Sequence, residues 1–546
     1  MRHHLLTAIL AALPALAQTA PKADACAPPP GSVAPTLPAK LLTGQGTIDF
    51  KITTKSAEAQ AFFNQGVAQM HSFWAREAER SFLQAAQLDP SAPMPQWGIA
   101  MVAAGDYRPG FQLDLVNGAR SKSNAKKSAG APKGGLGRAV AAAKKAQELS
   151  ASGQATAVEK AYIAAAAARR DLGQRDPDAA YARALRELIA AHPKEVEART
   201  YLALQLMSGF VLPEKRPRSG TMEAVEILRA LLQEAPEHAG VHHYVIHGWE
   251  GSTFAKDAWP SCKRYGELAN NIPHGLHMPG HIYAQTGRWA DAAKSFSDAA
   301  ENEVFWMKQD SLGGNGHHGH NVHFLATSYS FSGDYEKAMA AARGLLEYKE
   351  TPREKAMPDN YRGAWRQGWF SLLRTLVQHE KWDLILDGST IPEPGKPREE
   401  AWRHWALGIA HLHKGDPNAA QGDLRKMLGA MTAYKSSAKQ PVPPPLAVAE
   451  AELRAHLASN VDKRLRMLQQ AANKELGLRY NEPPHYPRPV LEALGAVALA
   501  NGRAQAAEKA YRAALEQYPE SAHSKRGLQA AMEKRSRPVE AAGGGR

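Results

Sequence analysis

QAFFNQGVAQMHSFWAREAERSFLQAAQLDP, residues Gln60 to Pro90, sets small and aromatic residues on a regular ruler. Counting from Gly66, the residues Ala78, Phe82, Ala85 and Pro90 follow at +12, +16, +19 and +24. Far along the chain, Gly495 is followed by Gly502, Ala507, Tyr511, Ala514 and Pro519, at +7, +12, +16, +19 and +24. Gly280 repeats the series through Gly287, Ala292, Phe296 and Ala299, and Gly408 does so more loosely through Gly415, Ala420 and Leu424. Small residues at such intervals let two helices cross closely, and a proline after the second helix stops it.

This ruler resembles that of the tetratricopeptide repeat (TPR), a helix–turn–helix unit of about 34 residues. The resemblance implies an all-α, right-handed TPR superhelix whose first helices line the concave face. Clear repeats are expected near residues 59–92, 239–272, 273–306, 319–350, 401–430 and 488–521, within a solenoid over 56–535. Composition agrees, because a chain that is 44% hydrophobic but only 7% aromatic suits helices packed through small residues better than strands. Pro-rich breaks at Ile391–Pro397 and Pro441–Pro445 interrupt the array without ending it.

The opening MRHHLLTAILAALPALAQ reads as a secretory signal over residues 1–17, with Ala15-Leu16-Ala17 as its cleavage site. Its apolar run, Leu5 to Leu16, is well short of the ~20 residues needed to span a bilayer. A periplasmic or secreted protein without a transmembrane segment is therefore expected. Residues 18–55 are expected to form a flexible Pro-rich leader, and 536–546 a disordered tail. Cys26 and Cys262 are the only cysteines, so cysteine-based zinc or redox chemistry is excluded, while a disulfide between them is permitted in an oxidising compartment. Part of the +13 net charge lies in Arg120 to Arg138 (RSKSNAKKSAGAPKGGLGR), read as a mobile loop centred on 118–136, and part in Lys534 to Pro538. An exported protein rarely meets nucleic acid, so no nucleic-acid partner is expected, and acidic envelope surfaces match the charge better.

Of 22 histidines, eleven fall between His238 and His323, in HHYVIHGWE (His242–Glu250), PHGLHMPGH (Pro273–His281) and HHGHNVHF (His317–Phe324). With Gly280 as repeat position 8, His274, His277 and His281 take positions 2, 5 and 9. In the preceding repeat His243, His247 and Glu250 take positions 5, 9 and 12; in the following one His320 and His323 take 2 and 5. Spacings of three and four put each set on one helical stripe, and in the TPR family these positions face the groove. His243, His247 and Glu250 are thus expected to face His277, His281 and His323 across one wall. His71, His238, His242, His317 and His318 fall off the stripe and read as surface or packing residues. The first and last repeats carry no histidine at the groove positions.

Imidazole with carboxylate favours zinc, copper, iron or nickel over calcium and magnesium. Two groups of three ligands suit a dinuclear site that leans toward copper, while a single zinc held by two histidines and Glu250 fits as well and leaves a position for water. A metal-free polar groove is the competing reading. No phosphate or dinucleotide loop, GxSxG elbow or HExxH motif stands in a suitable context. Any catalysis would then be metal-assisted, copper oxidase-like or zinc hydrolase-like, with Glu250 as ligand or general base. Trp402 and Trp405 hold groove positions 2 and 5 of their repeat, although core packing is the commoner fate of such tryptophans. Pro279 cannot donate to the carbonyl of Gly275 and is expected to kink its helix or to mark a later helix start.

HYVIHGWE, HMPGHIYAQTGRW and HNVHFL, together with FFNQGVAQMHSF, RSFLQAAQLDP and YNEPPHYPRPVLEALGAVAL, resemble segments of a group of exported bacterial TPR proteins. The likeness covers most of residues 56–530 and implies a fold and a shared site but no substrate. The expected function is an exported binding or scaffold protein. Its concave groove would take a protein, a peptide or a small ligand, and its wall a transition metal.

Overall fold

The computed structural model describes residues 35, 37–111, 133–153, 155–211, 213–309, 316–357, 362–478 and 483–536. The signal segment, Cys26, residues 118–132 of the basic stretch and residues 537–546 of the tail lie outside these. Among the described residues are 24 α-helices and a single two-stranded bridge, Phe210–Val211 against Arg216–Pro217. The fold is an all-α superhelix of TPR-type helix pairs, each helix packing mainly on its sequence neighbours. Successive helices pair as 57–71/75–88, 239–249/259–268, 273–285/289–309, 316–332/335–346, 397–413/417–438 and 490–500/504–517.

The ruler has a direct physical cause. A Cβ on Gly66 would lie 2.6 Å from the ring of Phe82, one on Gly280 2.5 Å from Phe296, and one on Gly495 2.7 Å from Tyr511. Each glycine thus holds the aromatic at +16 against the bare backbone of its partner helix. Gly408 breaks the pattern, since its nearest side chain is Leu453, two helices on. The +7 position turns the chain: Gly287, Gly415 and Gly502 have φ of +79°, +79° and +74°, the left-handed region glycine enters without strain. Replacing Gly280 with alanine should drive a methyl into Phe296 and cost about 1–3 kcal/mol. This would be read as a lower denaturant midpoint, and an unchanged midpoint would mean the two helices can separate freely.

The expected open groove is largely an interior. Phe63, Val67 and Met70, at groove positions of the first repeat, are fully buried, as is Trp405, and Trp402 is only 3% exposed. The reason is that the array folds back on itself twice. The Ala57–His71 helix reaches the Ala239–Trp249 helix, where Tyr244 Oη hydrogen-bonds His71 Nδ1 at 2.9 Å. Farther on, Trp289 Nε1 donates to the Pro519 carbonyl at 2.8 Å, and Phe331 stacks on Tyr518 with centroids 4.9 Å apart. Trp249, Trp289 and Trp369 are buried, and Trp365 is half-buried.

Two expectations about loose segments need correction. Residues 37–55 of the leader are anchored: Phe50 is 6% exposed among Phe63, Trp97 and Tyr162, and Gln45 Nε2 donates to the Asn271 carbonyl at 2.8 Å. Aromatic burial there outweighs the flexibility that proline-rich composition suggests. The basic stretch ends in a helix, Gly134–Ser152, whose Arg138 binds Glu79 at 2.6 and 3.0 Å. No described helix is long and apolar enough to cross a membrane.

Candidate metal centre

Helices Ala239–Trp249, Pro273–Gln285 and Gly316–Ser332 carry the histidines on stripes that meet. Pro279 lies inside the second of these, which starts at Pro273, so a later helix start does not account for it. Six of the expected histidines form two triads, His243–His247–His274 and His277–His281–His320. Within each triad, one nitrogen from every ring lies within 4.8 Å of the others. His243 and His247 are 0% exposed, His277 2% and His281 8%, while His274 and His320 are partly buried. The triads are neighbours, since the His274 and His277 rings stack with centroids 6.0 Å apart.

Hydrogen bonds fix the tautomers of the first triad. His243 Nδ1 donates to the backbone carbonyl of His71 at 2.5 Å, and His247 Nδ1 donates to Glu250 Oε2 at 2.8 Å. Each neutral ring therefore keeps its lone pair on Nε2, and these two atoms face one another at 3.0 Å. Protonating either would resolve the clash, but burial pushes the His243 imidazole well below its usual range, with His247 adding to the effect. Burial likewise lowers His247, against the pull of Glu250. In the second triad His281 Nε2 faces His277 Nε2 at 2.7 Å, and burial holds His277 and His320 well below the usual range. His274 Nε2 is buried without a hydrogen-bond partner.

Glu250 stands between the triads and is a member of neither group. Its Oε2 accepts a hydrogen bond from His247 Nδ1, and its Oε1 lies 3.1 Å from His281 Nδ1. Burial opposes its ionisation, but the hydrogen bonds from His247 and His281 outweigh burial and hold the carboxyl well below the usual carboxylate range. A carboxylate with both oxygens engaged in this way orients imidazoles from behind.

His323 has the expected phase but not the expected place. Its Nδ1 is 2.5 Å from Gln367 Oε1, on the next helix pair, and it belongs to neither triad. Burial and then the charge of Arg374 push this imidazole down to about 3, against the hydrogen bond to Gln367. The sign follows: the unfolded chain takes up this proton near 6.5 and the folded one does not, so stability is lost as pH falls from about 6.5 toward 3. His323→Gln should remove part of the acid sensitivity, on the order of a few kcal/mol. Parallel slopes of stability against pH in the two proteins would contradict it.

Two residues set aside in the sequence lie behind the first triad. Glu197, from the Val196–Leu206 helix, accepts from His71 Nε2 at 2.7 Å and His238 Nε2 at 2.9 Å. His71 Nδ1 accepts from Tyr244, which accepts from Tyr107 at 3.0 Å, and His238 Nδ1 accepts from the Val241 amide at 3.2 Å. Each ring nitrogen of this third cluster has a hydrogen-bond partner, and the same His71 presents its backbone carbonyl to His243. His242 points away, bonded to Ser261 and the Pro236 carbonyl, as expected. His317 departs from expectation, with its ring centroid 6.3 Å from His274 and 6.0 Å from His277, and its Nδ1 on Glu303 at 2.8 Å.

Phe73 also belongs to the site, and the ruler contains its signal. It stands at +7 from Gly66, where other repeats have glycine, and adopts φ +54°. A left-handed aromatic residue costs about 1–3 kcal/mol and persists where surroundings impose it. Here its ring lies against His243, His247 and His274 at 4.5, 5.4 and 5.5 Å. Glu380 fills the same turn of another pair with φ +54°, far from the triads in sequence.

Among known proteins, no family model and no curated sequence matches this chain. Solved structures do. The yeast Tom70 structure is 11% identical over 87% of this chain and 95% of its own, with a TM-score of 0.32. The human IFIT1 dimer with m7Gppp-AAAA is 11% identical over 88% and 91%, with a TM-score of 0.31. The APC/C hetero-tetramer Cut9–Hcn1 is 12% identical over 87% and 90%, with a TM-score of 0.28.

Proposed function

We propose that this is an exported helical-repeat protein that holds transition-metal ions, copper or zinc, in its two histidine triads. One observation carries the reading: two buried Nε2 lone pairs 3.0 Å apart, with both Nδ1–H groups already committed to Glu250 and the His71 carbonyl. A shared cation removes that conflict. Imidazoles held through Nδ1 by a carboxylate or a carbonyl are also the usual arrangement of metal-bound histidines. All-imidazole donor sets favour copper and zinc over magnesium and calcium.

The scaffold suits a binding role, because helix-pair arrays present long outer surfaces to protein partners. The reading of residues 1–17 as a secretory signal places that role in the periplasm or outside the cell. A metal-dependent enzyme is the second reading, favoured by the ligand count. Three histidines leave one position of a four-coordinate ion open, and a metal bound there would supply Lewis-acid or redox chemistry.

Elemental analysis of untagged protein purified without chelators tests the proposal. One copper or zinc per triad is expected. Protein that stays free of stoichiometric metal after reloading would refute the metal reading and leave a histidine-lined interior without that role.

A further inference from the structure

Each triad lies against one phenylalanine ring that touches all three of its imidazoles. The Phe73 centroid is 4.5, 5.4 and 5.5 Å from those of His243, His247 and His274. The Phe324 centroid is 5.1, 4.9 and 4.7 Å from those of His277, His281 and His320. The two rings have separate origins, the turn after the Ala57–His71 helix and the middle of the Gly316–Ser332 helix. Both are buried, at 5% and 3% exposure. Further aromatic rings surround the donors. Tyr265 stacks on His243 at 4.8 Å with its hydroxyl bonded to Ser72, and Phe296 lies 5.0 Å from His277 and 4.5 Å from Phe324.

The charge balance is equally one-sided. All six triad members are imidazoles, and among the described residues no carboxylate or thiol shares either group. Glu250 stands behind both, so one negative charge serves two ions. The cost of burying an ion grows with the square of its charge, so a monovalent ion costs about a quarter as much as a divalent one of equal size. Zinc held by three protein ligands completes its shell with water, and copper(II) prefers a square or tetragonal shell. Copper(I) has a filled d shell and is satisfied by three neutral imidazoles. An entry edge exists where the half-buried His274 and His320 meet His317, whose side chain is 40% exposed and whose ring is 6.3 Å from each.

We propose that both triads are copper(I) sites, in which Phe73 and Phe324 shield the metal from water and hold it in its monovalent state. The inference rests on the metal reading above and narrows it. It favours storage or handover of copper(I) over hydrolysis, which needs a metal-bound water.

The test titrates chelator-treated, full-length protein without oxygen, using the acetonitrile complex of copper(I) in competition with bicinchoninate. Two copper(I) ions per chain should be withdrawn from bicinchoninate, and zinc at about tenfold excess should displace neither. X-ray absorption at the copper edge should show the cuprous state with three nitrogen neighbours. In air, the paramagnetic signal of copper(II) should rise at least about tenfold faster in Phe73→Gly and in Phe324→Ala than in the native protein. Each substitution should affect half of the copper. Glycine stands at the Phe73 turn in other repeats and enters its φ without strain, so that variant keeps the fold. Native protein that prefers zinc, or holds copper with an oxygen neighbour, would overturn the cuprous assignment and leave the metal reading standing. Oxidation no faster in either folded variant would overturn the shielding role. Protein that takes up neither copper nor zinc would defeat the metal reading, and this inference with it.

Discussion

Alanine in place of His247 should remove one metal ion and leave the other. Alanine in place of His281 should do the same for the second triad, and the double substitution should leave none. Each change removes an imidazole whose Nδ1 is aligned by Glu250 and whose Nε2 faces a second histidine, at 3.0 and 2.7 Å. Two imidazoles from the depleted triad would remain, too few for a tight site. Stability should follow stoichiometry. A metal bound only by the folded chain, at a thousand times its Kd, adds about 4 kcal/mol. Chelation should therefore lower the denaturant midpoint of the native protein and leave that of the double variant unmoved. Loss of both ions on either single substitution would mean one coupled centre instead of two separate sites. Retention of both would defeat the assignment of ligands.

Glu250→Gln should keep both ions at saturating metal but weaken their binding by about 10–100-fold. The amide has one oxygen in place of two, so it cannot accept from His247 Nδ1 and His281 Nδ1 together. One ring must turn its N–H toward Nε2, where the lone pair is needed. Were Glu250 a metal ligand, as its helical phase alone suggested, the substitution would reduce stoichiometry even at saturation. Metal titration followed by a fixed-excess count separates the two outcomes.

What the sequence revealed is what is local. The +16 interval was readable because a glycine and an aromatic on adjacent helices touch directly, and the three-and-four spacing because a helix puts such residues on one stripe. Glu197, His71 and the anchored leader were not readable, because their contacts join residues far apart: His71 to Glu197 spans 126 positions and Gln45 to Asn271 spans 226. His323 shows the limit from the other side. Its phase was right, but Gln367 on the following pair claims its Nδ1. His317 lies off the stripe if its helix begins at Gly319, but the helix begins at Gly316 and places His317 in its first turn.

The self-closing array changes how the molecule comes together. An open solenoid stabilises each repeat through its neighbours, so its ends can fray one unit at a time. Here the unit near residue 519 rests on one 230 positions earlier, and the first helix rests on one 173 positions later. Neither end is free to fray without opening a seam in the middle. Folding must wait for those distant surfaces to meet, which makes it slow and closer to all-or-none than in a linear array. Cutting away the last repeats would uncover Trp289 and Phe331, turning a truncation at the end into a defect at the centre.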